Sequence, residues 1–145
     1  MTYTPMGKAQ QYARIGTASE VMSASPHRIV QLLLEGALEK VARARGFMEL
    51  GNVAEKGRHI GLAISVIEGL QASLDKERGG DIARNLDELY DYMSRRLVEA
   101  NLRDDTAILD EVAGLLREIK SAWDAIPTEM RGDGQADGPA VSAGA

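Results

Sequence analysis

Apolar residues recur every three or four positions between Pro26 and Pro127, the spacing that places side chains on one face of an α-helix. No proline interrupts this stretch, and it is rich in Leu, Ala, Glu and Arg, which favour helices. Aromatic residues are enriched in β-strands, but they make up only 4% of this chain. The pattern therefore predicts an all-α domain.

The first predicted helix has clear signals at both ends. Ser25 can cap its N-terminus, and Pro26 suits the first helical position. Gly51 and Asn52 can end the helix after Leu50. Its apolar residues cover about half of the helix circumference, which is wider than the roughly 100° stripe of a helix that packs on one side. We therefore expect this helix to contact neighbours on two sides.

Three further helices are predicted downstream, joined by short connections. They span approximately residues 53–74, 81–101 and 105–126, and residues 75–80 have the composition of a loop. The third helix carries the clearest apolar stripe, formed by Ile82, Leu86, Leu89, Tyr90, Met93, Leu97 and Ala100. Because short connections favour antiparallel neighbours, we predict an antiparallel, up-down four-helix bundle.

The two ends of the chain differ in composition from this bundle, which we assign to residues 25–127. Residues 1–24 are polar and mixed, so we expect an N-terminal arm that holds at most a short helix. Residues 128–145 contain four of the fifteen glycines and few residues able to pack. We expect this C-terminal tail to be disordered, because it cannot offset the entropy lost on ordering.

Composition and charge exclude several classes of function. The chain of 145 residues has a net charge of −5, whereas nucleic-acid-binding proteins carry a basic surface, so we expect no nucleic-acid partner. No apolar run approaches the roughly 18 residues that span a membrane, and the N-terminus has no apolar signal segment. We therefore expect a cytoplasmic protein without membrane insertion. The absence of cysteine excludes disulfides, thiol nucleophiles and thiolate metal sites.

The sequence offers little support for catalysis, metals or cofactors. His27 and His59 are the two histidines, and neither follows a glutamate by three residues as in the di-metal sites of helical bundles. His59, which we expect on a solvent-facing side of the second helix, is the candidate for histidine phosphotransfer, although the sequence favours an ordinary surface histidine. No phosphate-binding loop, nucleophile elbow or dinucleotide fingerprint is present. We predict no enzyme activity, no cofactor and no metal site.

The second helix has an unusual face opposite its predicted core residues. That face carries small or apolar residues where a solvated helix should be charged: Gly61, Leu62, Ser65, Val66 and Gly69. A glycine inside a helix costs about 1 kcal/mol relative to alanine, so a row of small residues in four-residue steps suggests a groove for another helix. We hypothesise that this face binds a helical partner. The alternatives are that the N-terminal arm covers it or that it pairs with a second copy of the chain.

Three other residues are candidate partner contacts. Tyr12 and Ile15 in the arm are apolar residues with no helix of their own to cover them. They either fold back on the bundle or contact a partner. Tyr92 projects to the flank of the third helix, where the sequence is equally compatible with partner contact and with simple exposure.

Several strings along the chain resemble one protein family. They are residues 24–27 (ASPH), 32–38 (LLLEGAL), 73–75 (SLD), 79–83 (GGDIA), 85–93 (NLDELYDYM), 95–97 (RRL) and 99–102 (EANL). These strings resemble flagellar secretion chaperones of the FliS family. The resemblance covers roughly residues 10–125, which is nearly the whole predicted bundle.

The resemblance implies a cytoplasmic, antiparallel helical bundle that binds newly made flagellin. Such a chaperone holds the C-terminal segment of flagellin, prevents premature polymerisation and presents the segment to the export gate protein FlhA. The resemblance also implies that the N-terminal arm, with Tyr12, covers part of the binding surface and takes part in recognition of the gate. We expect a monomer or a weak homodimer.

Overall fold

The computed structural model describes residues 24–131. Within these residues the chain forms four α-helices, α1 (Pro26–Leu50), α2 (Val53–Ala72), α3 (Lys76–Arg103) and α4 (Thr106–Asp124), followed by a short 3-10 turn (Thr128–Met130). The segment that the sequence assigns to the C-terminal tail therefore begins with this turn. The predicted arm contacts Tyr12 and Ile15, and residues 132–145, lie outside the described residues.

The four helices pack around one core. α1 lies against α2 and α4, and α3 lies against the same two helices, so each helix has two main neighbours. Turns of two or three residues join consecutive helices, which therefore run in opposite directions. Between residues 24 and 131 there is no strand and no helix long and apolar enough to cross a membrane. The predicted all-α, antiparallel four-helix bundle is confirmed.

The ends of α1 follow the predicted local signals. The Ser25 hydroxyl accepts a hydrogen bond from the Arg28 N–H at 3.1 Å, and Pro26 occupies the first helical position. At the other end Gly51 has a φ of 74°, a left-handed conformation that glycine adopts readily because it has no Cβ. The side chain of Asn52 then caps α2, so a two-residue turn reverses the chain.

The start of α3 differs from the loop that the sequence predicts. Asp75 instead caps a helical turn, because its carboxylate accepts a hydrogen bond from the Arg78 N–H at 3.1 Å. Helical geometry then breaks at Gly80, whose φ of 55° and ψ of −129° are open to glycine. Gly79 must also lack a side chain, since a Cβ there would lie 2.7 Å from the Ala83 Cβ. The two glycines therefore fix a kink at this end of the bundle.

Apolar side chains from all four helices form the core. Its buried members are Leu33, Leu34, Ala37, Val41, Ala44, Met48, Ile60, Ala63, Val66, Ile67, Leu70, Tyr90, Met93, Leu97, Ala100, Ile108, Leu109, Val112 and Leu116. Most of the predicted α3 stripe belongs to this core, either buried or packed against it. The prediction is wrong for Ile82, which is 71% exposed, because its side chain faces an open groove and none of the helices within residues 24–131 covers it.

A buried lysine joins α2 to the end of α3. The Lys56 ammonium donates to the Asn101 carbonyl at 3.0 Å and to the Asp104 carboxylate at 2.6 Å. Asp104 ends α3 with a φ of 53°, a conformation that aspartate tolerates better than most residues. Because the last carbonyl groups of a helix lack partners within the helix, Lys56 supplies a donor there and stabilises the turn into α4.

Candidate functional site: an apolar groove at one end of the bundle

An open groove of about 860 Å³ lies where the first turns of α1 and α3 meet the ends of α2 and α4. Its apolar lining consists of Pro26, Ile29, Val30, Leu74, Ile82, Ala83, Leu86, Tyr90, Ile119, Trp123, Ile126 and Met130. The charged side chains along it are Asp75, Arg78 and Arg131. This lining suits the apolar side chains of a ligand and offers few polar groups to orient a small substrate.

A histidine–tryptophan pair forms one wall of the groove. The rings of His27 and Trp123 stack with their centroids 4.9 Å apart and 10° between their planes. His27 Nε2 donates to the Trp123 carbonyl at 2.9 Å, and Trp123 Nε1 donates to the His27 carbonyl at 3.0 Å. These reciprocal contacts join the first turn of α1 to the last turn of α4. They therefore fix the spacing of two helices that border the groove.

The kink at the start of α3 positions the opposite wall. Residues on both sides of Gly80 line the same groove, Arg78 before the kink and Ile82 after it. Ala83, one residue further along, is buried. Ile82 and Met130 are the two large apolar residues of the groove that stay mostly exposed among the described residues.

Tyr90 lines the groove and is buried by its surroundings. Burial penalises the charged phenolate, so it raises the pKa of the Tyr90 hydroxyl from its ordinary value of 10.0 to about 12. The side chain therefore stays neutral in the folded protein over the whole physiological range. A neutral phenol adds apolar ring surface to the groove and no charge.

The raised pKa predicts that the protein loses stability in alkaline solution. The unfolded chain releases the Tyr90 proton near pH 10, whereas the folded chain retains it until about pH 12, so the free energy of unfolding falls as pH rises through this window. Urea unfolding measured between about pH 9 and pH 11.5 should show a shallower decline for Tyr90→Phe, which lacks the ionisable hydroxyl. Equal declines for the variant and the wild type would contradict this assignment.

The predicted partner face of α2 is only partly exposed. Val66 is buried in the core, and Gly69 is buried as well, so the prediction of an exposed face is wrong for these two residues. Gly61 is exposed, whereas Leu62 and Ser65 are half-buried. The difference arises because α2 packs against both α1 and α3, which buries two sides of the helix and not one. None of the five residues lines the groove.

Tyr92 takes part in a polar network between α3 and α4. Its hydroxyl donates to Glu111 Oε2 at 2.5 Å, and Arg96 Nε donates to Glu111 Oε1 at 2.8 Å. The bond from Tyr92, together with that from Arg96, lowers the pKa of the Glu111 carboxyl. Tyr92 therefore connects two helices and lies outside the groove. Its role in partner contact stays a prediction.

His59 does not occupy the exposed position that phosphotransfer requires. Its side chain is buried, Nδ1 donates to the Glu55 carbonyl at 2.9 Å, and the ring lies 5.1 Å from that of Phe47 between centroids. The prediction of a solvent-facing His59 is wrong, because this side of α2 packs against Phe47 of α1. In the described part of the chain, no group of three or more His, Asp or Glu side chains is placed to hold a metal ion.

Sequence periodicity alone assigns the groove residues to the core. This applies to Ile29, Val30, Leu86, Ile119 and Trp123, which continue the apolar stripes of their helices. Periodicity identifies one face of a helix, but it does not tell whether a neighbour covers that face near the end of a bundle. The adjacent Gly79 and Gly80 are the sequence signal that could have indicated an opening, because they interrupt α3 at that end.

Sequence comparisons relate this chain to flagellar chaperones. The profile of the family described as "Flagellar protein FliS" matches residues 8–130. The flagellar secretion chaperone FliSB of Pseudomonas aeruginosa is 53% identical over 121 residues, which cover 83% of this chain and 96% of that protein. The flagellar secretion chaperone FliS of Salmonella typhimurium is 51% identical, over 83% of this chain and 90% of that protein. The flagellar secretion chaperone FliS of Bacillus subtilis is 31% identical, over 78% of this chain and 84% of that protein. The family match contains all four helices and every groove residue except Arg131.

Proposed function

Because this chain belongs to the FliS family of flagellar secretion chaperones, we propose that it binds the C-terminal segment of flagellin in the cytoplasm. The client segment would stay on the chaperone until the complex reaches the export gate protein FlhA. Premature polymerisation would be prevented during that time. This proposal involves no chemical reaction and no cofactor.

The groove at the end of the bundle is the observation that carries this proposal. Its volume of about 860 Å³ and its apolar lining suit several large side chains from one face of an amphipathic helix. Ile82 and Met130 are each 71% exposed there. Covering apolar surface contributes roughly 25 cal/mol per Å², so a client segment that covers these side chains would gain binding free energy.

The proposed mechanism is competition for the apolar surface of flagellin. A client segment whose apolar side chains are buried in the groove cannot present them to another flagellin subunit. A segment that is disordered before binding loses conformational entropy when it binds, but it can contact a large surface of the bundle. No nucleotide is needed, because delivery requires only that the segment be released at the gate.

Residues outside the groove complete the proposed contact surface. Tyr12 and Ile15 precede α1, whose first turn lines the groove, so we propose that they contact the client or the gate near this end of the bundle. Gly61, Leu62 and Ser65 are candidates for a second contact along α2. The chaperone is proposed to act as a monomer or a weak homodimer, which light scattering over a range of concentrations would test.

Titration calorimetry with the full chain tests the proposal. The ligand is a C-terminal flagellin segment of about forty residues from the same cell, and a segment of equal length from the middle of flagellin is the control. We expect binding near 1:1 with a strongly negative heat-capacity change, the signature of apolar burial coupled to folding. Absence of heat and of co-elution with the C-terminal segment would refute the proposed client.

A further inference from the structure

Arg131 stands at the edge of the groove in a fixed orientation. It follows the 3-10 turn directly, is half-buried, and its Nε donates to the Ile126 carbonyl at 2.9 Å. A guanidinium carries five N–H donors, so four remain on the two Nη atoms. Across residues 24–131 these donors have no hydrogen-bond acceptor and no carboxylate partner. The Nε bond thus restricts the Arg131 side chain, and within residues 24–131 its Nη donors are available to a ligand.

The charged lining of the groove is positive in an otherwise acidic protein. Two arginines, Arg78 and Arg131, line it together with one carboxylate, Asp75. Arg78 is exposed, and its Nε lies 3.6 Å from the Asp75 carboxylate, which partly neutralises it. Among the described residues, the charge at the groove without a carboxylate partner is therefore that of Arg131. The chain as a whole has a net charge of −5, which would repel an acidic ligand elsewhere on the surface.

We propose that Arg131 binds a carboxylate of the flagellin segment whose apolar side chains fill the groove. This inference rests on the proposed function, and it adds the chemical group by which the client segment is recognised. A guanidinium matches a carboxylate through two parallel N–H···O bonds. The bond from Nε to Ile126 restricts the side chain before the client arrives, so less conformational entropy is lost on binding.

The apolar floor of the groove determines the kind of anion that Arg131 can accept. A nucleic acid or another polyanion would place further charges over apolar side chains and beside an acidic protein surface, which is unfavourable. A peptide that carries one carboxylate next to apolar side chains matches both the apolar lining of the groove and the guanidinium of Arg131. The carboxylate comes either from an acidic side chain of the segment or from its C-terminus.

Calorimetry with the full chain and the C-terminal flagellin segment tests this inference. Arg131→Gln removes the charge, and Arg131→Lys keeps the charge but loses the paired donors. Arg84→Gln is the matched control, because Arg84 is exposed, pairs with Asp81 and does not line the groove. We expect about three- to tenfold weaker binding for Arg131→Gln and about twofold weaker binding for Arg131→Lys, whereas Arg84→Gln should bind like the wild type.

Two modified segments identify the source of the carboxylate. One segment has an amidated C-terminus, and the other has its acidic side chains replaced by the corresponding amides. If the wild type and Arg131→Gln bind one modified segment equally, the carboxylate that is missing from that segment is the one that Arg131 binds. Raising salt from about 0.05 to about 0.5 M should also weaken the wild type more than Arg131→Gln, since salt screens the ion pair.

The outcomes separate this inference from the proposed function. Equal binding of the unmodified segment by the wild type and by Arg131→Gln would overturn the role of Arg131 and leave the chaperone function standing. A difference that persists when both kinds of carboxylate are absent would overturn it as well. Failure of the wild type to bind any segment would overturn the client and this inference with it. Thermal unfolding of each variant checks that the bundle is intact.

Discussion

We expect the Ile82→Gln variant to bind the C-terminal flagellin segment roughly 30- to 100-fold more weakly than the wild-type chain does. Ile82 is 71% exposed and lines the groove, so a bound segment would cover most of its side chain. Burial of one large aliphatic side chain contributes about 1.5–3 kcal/mol, and a loss of about 2–2.7 kcal/mol within that range weakens binding roughly 30- to 100-fold. The dissociation constant from titration calorimetry measures the effect.

Val98→Gln provides the matched control for this prediction. Val98 lies on the same helix, is 49% exposed and does not line the groove, so the variant should bind the segment like the wild type. Both variants replace an exposed side chain, and urea unfolding should place both within about 0.5 kcal/mol of the wild type. If Val98→Gln weakened binding as much as Ile82→Gln, the client would lie along the length of α3 and not in the groove.

Leu97→Ala is expected to lower the free energy of unfolding by about 2–5 kcal/mol. Leu97 has no exposed surface and lies in the core among residues of all four helices. Removing its side chain loses apolar burial and leaves a cavity that the surrounding helices fill only in part. Since small domains are stable by only about 5–15 kcal/mol, urea unfolding followed by circular dichroism should show a large shift in the midpoint.

Leu102→Ala is the matched control, because it removes the same side chain from an exposed position on the same helix. Leu102 is on the same helix as Leu97 but is 80% exposed, so Leu102→Ala should change the free energy of unfolding by less than about 0.5 kcal/mol. A comparable loss at both positions would mean that the end of α3 packs against other parts of the chain. The pair of variants therefore tests directly which leucines of α3 belong to the core.

The two tests concern residues that the sequence treats alike. Ile82 and Leu97 continue the same apolar stripe on α3, and the spacing between them gives no reason to separate them. The structure buries Leu97 between neighbouring helices and leaves Ile82 at the groove. A stripe identifies the side of a helix that can be buried, whereas burial itself depends on whether another helix extends that far.

Periodicity also does not determine which faces of α2 are buried. Val66 and His59 are predicted to be exposed if α2 buries only one of its sides. Both residues are buried, since α2 packs against α1 on one side and α3 on another. The row of small residues on this helix indicates that another helix packs there, but it does not tell whether that helix belongs to the same bundle or to a partner.

Local signals along the chain predict the four helices, their approximate ends and their antiparallel order. Periodicity, the Ser25 cap and the left-handed turn at Gly51 act between residues close in the chain, so they can be identified without knowing what packs nearby. Which apolar surfaces meet and which stay open depends on how the helices pack together. His27 and Trp123, 96 residues apart, are brought together by the packing of α1 on α4. The groove beside them exists because, within residues 24–131, the kink at Gly80 and the ends of the helices leave that surface uncovered.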